Sequence, residues 1–117
     1  MNEFALARSM NNTILDLCNN MGFTRVRKIL LKVGVVKDVN PELMVSAFAM
    51  LAKGKVTEGA LLAIMFVPLT LNCYDCGNRG YRDDNKLKCP KCGSQNVKLI
   101  TGLEFSIESI EVEKNLS

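Results

Sequence analysis

Four of the five cysteines stand in the stretch CYDCGNRGYRDDNKLKCPKCG, as Cys73-x2-Cys76, twelve intervening residues, then Cys89-x2-Cys92. Each Cys-x2-Cys step bends the chain until two sulfurs face one point. Two such steps supply four thiolates, the donor set of a closed tetrahedral zinc site. Gly77 and Gly93 follow the second cysteine of each pair, where the backbone must turn tightly and a Cβ would be strained. A segment of roughly 25 residues cannot bury enough apolar surface to fold alone, so a bound ion must stabilise it, on the order of 10 kcal/mol. Iron in a rubredoxin-like site and a pair of disulfides are the alternatives. Structural zinc on Cys73, Cys76, Cys89 and Cys92 is the favoured reading, since no electron-transfer context and no secretion signal accompany the cysteines.

Little else in the chain can do chemistry. It contains no histidine, so the commonest general base and the commonest imidazole ligand are both missing. Without them, and without a glycine-rich phosphate loop, an enzyme is the weakest expectation. The fifth cysteine, Cys18, has no basic neighbour to lower its pKa and reads as a small buried hydrophobe.

The elements that must carry the cysteine segment are legible from periodicity. Residues 4–21 predict an amphipathic helix with Leu6, Met10, Ile14, Leu17 and Met21 as its apolar stripe and Gly22 as its C-cap. RVRKILLKVGVV at 25–36 predicts a strand with Ile29, Leu31 and Val33 on one face. Asn40-Pro41-Glu42 has the residue types of an N-cap, a first helical position and a favourable charge at the dipole's positive end. The helix it opens carries Met44, Ala47, Phe48 and Leu51 and ends near Gly54. ALLAIMFV at 60–67 reads as a second strand. LEFSIESIEVE at 103–113 reads as a third, with Leu103, Phe105 and Ile107 in one phase, Ile110 and Val112 in the other, and a bulge near Glu108-Ser109.

The expected fold is α+β: a small three-stranded sheet with two helices, interrupted by a zinc-ribbon-like insert that carries the four paired cysteines. The boundaries are 1–68 and 101–117 for the main domain and 69–100 for the insert. No apolar run reaches the ~18 residues of a membrane span, and the first residues lack the pattern of a signal peptide. The expectation is a cytoplasmic protein without a membrane partner. The net charge is +3. Arg79, Arg82, Lys86, Lys88, Lys91 and Lys98 face only Asp75, Asp83 and Asp84 in the cysteine segment, but a zinc tetrathiolate adds two negative charges and leaves the loaded module near +1. Tyr74 and Tyr81 are the only candidates for stacking on bases. Nucleic acid is therefore not the expected partner.

Taken together, these pieces resemble the HypA/HybF family of hydrogenase nickel-incorporation proteins. The resemblance rests on Met1-Asn2-Glu3 leading directly into a helix, on NPELMVSAFAMLAKGKVTEGALLAI, on the Val-Pro before the first knuckle, on both CxxCG knuckles and on the closing IESIEVE. It implies an α/β nickel-binding domain with an inserted zinc domain, and Cys73, Cys76, Cys89 and Cys92 match the family's zinc ligands. It further implies a nickel metallochaperone, not an enzyme, that serves a [NiFe]-hydrogenase large-subunit precursor beside a partner GTPase, with urease maturation served in some relatives.

One position departs from the family pattern. The family begins Met-His-Glu, its histidine giving nickel an imidazole, whereas position 2 here is Asn. Met1, Asn2 and Glu3 are the candidate nickel site, weakened by that change: the terminal amine and deprotonated backbone amides are nitrogen donors for tetragonal Ni²⁺, but Asn adds only an amide oxygen. Residues 1–3 serving merely as a helix start is an equal reading. The competing function is a zinc-ribbon module that binds protein or nucleic acid and has lost nickel.

Overall fold

The computed structural model describes residues 2–114. Its order is α1 (Glu3–Met21), β1 (Phe23–Gly34), a 3-10 turn at Val35–Lys37, α2 (Pro41–Ala52), β2 (Leu61–Val67), β3 (Leu69–Cys73), β4 (Arg79–Arg82), β5 (Val97–Thr101) and β6 (Phe105–Lys114). The strands form two three-stranded sheets, ordered β2-β1-β6 and β4-β3-β5. The first holds the three strands expected from periodicity. The second lies in the cysteine segment and has no counterpart in the periodic pattern.

The chain divides into two compact units. Among the described residues, one comprises 2–31, 39–64 and 107–114; the other comprises 32–38 and 65–106. The second is wider than the expected 69–100, because backbone bonds draw residues 34–36 into it: the Gly34 N–H donates to Glu104 O at 2.7 Å and the Val36 N–H to Gly102 O at 3.0 Å. Gly34 is required there, since a Cβ would run into the Gly102 carbonyl.

In the first unit α1 and α2 pack together. Asn40 caps α2 as its position predicts, its side chain accepting from the Leu43 N–H at 3.1 Å. Met44, Ala47, Phe48 and Ala52 are its buried residues. On α1 the expected stripe is corrected: the buried residues are Ala7, Met10, Asn11, Ile14 and Cys18, while Leu17 and Met21 are 42 % and 50 % exposed. The stripe turns toward Asn11 because that side chain is satisfied inside. Its Nδ2 donates to Leu51 O at 3.3 Å and its Oδ1 accepts from the Thr57 hydroxyl at 2.8 Å. Among the described residues no buried side-chain N or O lacks a partner. Replacing Thr57 by Val keeps the shape and removes the donor, so urea denaturation should show a loss of about 1–3 kcal/mol. An unchanged midpoint would mean that this bond carries no weight.

In the β2-β1-β6 sheet, Ile29, Leu31 and Val33 of β1 are buried as the alternation predicts. In β6, Phe105, Ile107, Ile110 and Val112 are half-buried and Glu108 and Ser109 are both exposed, which follows the predicted change of phase. Leu103 departs from the prediction: it precedes β6 and is 52 % exposed. In the second unit β3 pairs antiparallel with β4 and β5, with Leu71 opposite Gly80 on one side and Leu99 on the other. This pairing buries Leu69 and Leu71 and leaves Cys73 at the strand's end.

Candidate metal centre

Strand β3 delivers Cys73, and the chain then folds into two knuckles of the same construction. In the first, Cys73 N–H donates to Asn78 O at 2.9 Å and Gly77 N–H to Cys73 O at 3.0 Å; in the second, Cys89 N–H donates to Ser94 O at 2.8 Å and Gly93 N–H to Cys89 O at 2.9 Å. Gly77 and Gly93 sit at φ +74° and +77°, the left-handed region that glycine enters without strain.

Each knuckle aims backbone N–H groups at its own first sulfur. Cys73 Sγ accepts from Cys76 N and Cys89 Sγ from Cys92 N, both at 3.4 Å, and Lys91 N also donates to Cys89 Sγ at 3.4 Å. These donors favour thiolate. The N–H groups of Cys76 and Asp75 hold Cys73 below the ordinary thiol range, and those of Cys92 and Lys91 bring Cys89 down to about 6. Cys73 and Cys89 are buried, while Cys76 and Cys92 are exposed.

The knuckles bring all four sulfurs to one point, within 4.8 Å of one another. Cys73 Sγ to Cys92 Sγ and Cys76 Sγ to Cys89 Sγ are each 3.6 Å, and no cysteine is in a disulfide. A tetrahedron with Zn–S bonds of about 2.3 Å has edges of about 3.8 Å. The donor set therefore fits a structural zinc ion. Cys18 is not one of the four; it is buried on α1, and burial raises its thiol pKa.

A second set of contacts joins the knuckles, and nothing in the residue pattern announces it. Both carboxylate oxygens of Asp75 are engaged: Ser94 Oγ donates to Oδ2, and Asn96 Nδ2 donates to Oδ1 at 3.1 Å. Asn96 N–H donates to Ser94 Oγ at 3.0 Å, and Tyr74 N–H donates to Asn96 O at 2.9 Å. Asp, Ser and Asn are ordinary loop residues, so local pattern cannot pair positions this far apart in the chain.

At the start of α1, Met1 lies outside the described residues. Asn2 is the N-cap, its Oδ1 accepting from the Ala5 N–H at 3.1 Å. Glu3 Oε2 accepts from the Asn40 N–H at 2.9 Å, which lowers the Glu3 pKa and links the starts of the two helices. Beside them a shallow groove of about 330 Å³ is lined by Asn2, Glu3, Phe4, Leu43, Ser46, Ala47 and Met50. Phe4, Leu43 and Met50 are 40 %, 56 % and 72 % exposed. No helix among the described residues is long and apolar enough to cross a membrane.

Residues 1–112 match the family described as hydrogenase/urease nickel incorporation, metallochaperone, hypA. The chain is similar to the hydrogenase maturation factor HypA of Aquifex aeolicus, 32 % identical over 113 residues that cover 97 % of this chain and 98 % of the relative. It is 34 % identical over 121 residues to HypA of Methanocaldococcus jannaschii, covering 97 % and 98 %. The fold is also that of the solution structure of the Ni metallochaperone HypA from Helicobacter pylori, with a TM-score of 0.68 at 24 % identity, covering 98 % of this chain and all of that one. With the match running from the first residue through both knuckles to the last strand, the chain belongs to the HypA family of hydrogenase and urease nickel-incorporation metallochaperones.

Proposed function

We propose that this chain binds nickel as cargo at its N-terminus and passes it to a hydrogenase precursor, with zinc held structurally on Cys73, Cys76, Cys89 and Cys92. The observation that carries this reading is the family match over residues 1–112, which includes both the N-terminal start and the knuckles. The chain works in the cytoplasm by binding and handing over, without a catalytic step, and its partners are a maturation GTPase and the hydrogenase large-subunit precursor.

The donors for nickel are the terminal amine and the backbone nitrogens of Asn2 and Glu3. Glu3 is the first residue of α1, and a helix's first N–H groups have no intrahelical acceptor. Losing that proton to solvent, so that the nitrogen can bind nickel, therefore breaks no helix bond. The Asn2 side chain already caps the helix, so it supplies shape at the site more than a metal bond. The groove with Phe4, Leu43 and Met50 supports partner contact beside the cargo, because exposed apolar patches mark interaction sites.

Complementation tests the proposal. A host deleted for its own family member, supplied with this chain and limiting nickel, should recover hydrogenase activity. Capture from that host should return a maturation protein. Recovery of neither, with nucleic-acid-binding or ribosomal proteins captured instead, would favour a zinc-ribbon module that has lost nickel.

A further inference from the structure

The geometry points to Asp75 as a positioning residue of the metal centre, one that ties the two cysteine knuckles together from outside and so slows release of the ion. This inference rests on the reading of the four cysteines as a metal site. Asp75 lies between Cys73 and Cys76, and its side chain reaches the other half of the site. Ser94 and Asn96, its two donors, directly follow the second knuckle.

The bridge is closed on itself. The Ser94 hydroxyl gives its proton to Asp75 and accepts the Asn96 N–H, and the Ser94 carbonyl accepts the N–H of Cys89. Asn96 uses its N–H, its side-chain amide and its carbonyl, the last taking the N–H of Tyr74. Moving one cysteine pair away from the other therefore breaks several bonds at once, and none of these bonds has the ion as a partner. Release of a tetrathiolate-bound ion begins with the separation of sulfurs. A bridge that holds the pairs at their spacing raises the cost of that first step. Asp75 is not itself in the sulfur cluster, so it acts through the knuckles and not as a ligand. Groups that orient metal ligands typically change affinity by about 10–100-fold when removed.

The test uses the full chain loaded with zinc, and separately with Co²⁺, and follows transfer of the ion to a chromophoric chelator. Asp75→Ala should speed release by about tenfold or more, and Ser94→Ala should do so by a smaller factor. The double variant should release little faster than Asp75→Ala alone, because both changes remove one shared contact. The Co²⁺ absorption should keep its tetrathiolate shape throughout, which separates positioning from ligation. Release from Asp75→Ala within about twofold of the parent would overturn the proposal, as would a changed Co²⁺ ligand field. If Asp75→Ala fails to fold, Asp75→Asn and Ser94→Ala carry the same comparison. A parent chain that takes up no ion would instead refute the metal site itself.

Discussion

Replacing Cys89 by Ser should cost the chain its zinc and unfold the cysteine-bearing unit while leaving the helices in place. Cys89 is buried, receives two backbone N–H groups at its sulfur and accepts the Gly93 N–H at its carbonyl. A serine hydroxyl is not a thiolate, and a closed four-sulfur site reduced to three loses most of its hold. Structural zinc sites contribute on the order of 10 kcal/mol to folding, more than the core around Leu69 and Leu71 can replace. Helical circular dichroism should persist, because α1 and α2 belong to the other unit, with its own buried Met10, Ile14, Met44 and Phe48. Backbone resonances of residues 69–101 should collapse toward random-coil positions. A Cys89→Ser chain that keeps both its zinc and those resonances would rule out the structural role.

Asn2→His should tighten nickel binding by about tenfold or more, equivalent to ~1.4 kcal/mol or more. The imidazole adds a nitrogen donor that suits nickel, and its pKa of about 6.5 leaves it largely neutral at pH 7.5. Below roughly pH 6 the gain should fade, because the imidazolium cannot coordinate. The exchange has a structural cost. The Asn2 oxygen caps α1 through Ala5, and losing an N-cap costs about 1 kcal/mol. The variant should therefore melt earlier without nickel and recover part of the difference with it. Asn2→Ala separates the two effects, losing the cap without adding a donor. Equal nickel affinity in Asn2→Ala and the parent would show that the Asn2 side chain is no ligand. Equal affinity in Asn2→His would show that nickel does not bind at this position.

How much of this is legible in the sequence differs from element to element. The knuckles can be read because their requirement is local: two thiols three residues apart and a residue that tolerates positive φ. The alternation of Ile29, Leu31 and Val33 and the Asn40-Pro41 start of α2 are legible for the same reason. The sheet of β4, β3 and β5 is not, because strands of four and five residues such as Arg79–Arg82 are too short and too polar to show a period. Periodicity misplaces the buried face of α1 because Asn11 finds its partners at Leu51 and Thr57, which no window on the helix contains. The Asp75 bridge escapes for that reason too. At the N-terminus the residue types announce a helix start, but the bond from Asn40 to Glu3 depends on the folded arrangement of two helices.

If zinc serves structure and nickel is cargo, one chain must hold the two ions at separate places. Equilibrium dialysis of the full chain against nickel, followed by elemental analysis of the dialysed protein, tests it most directly. Each chain should keep one zinc ion and gain up to one nickel ion as the nickel concentration rises. Zinc alone at every nickel concentration, or nickel gained only as zinc is lost, would contradict it.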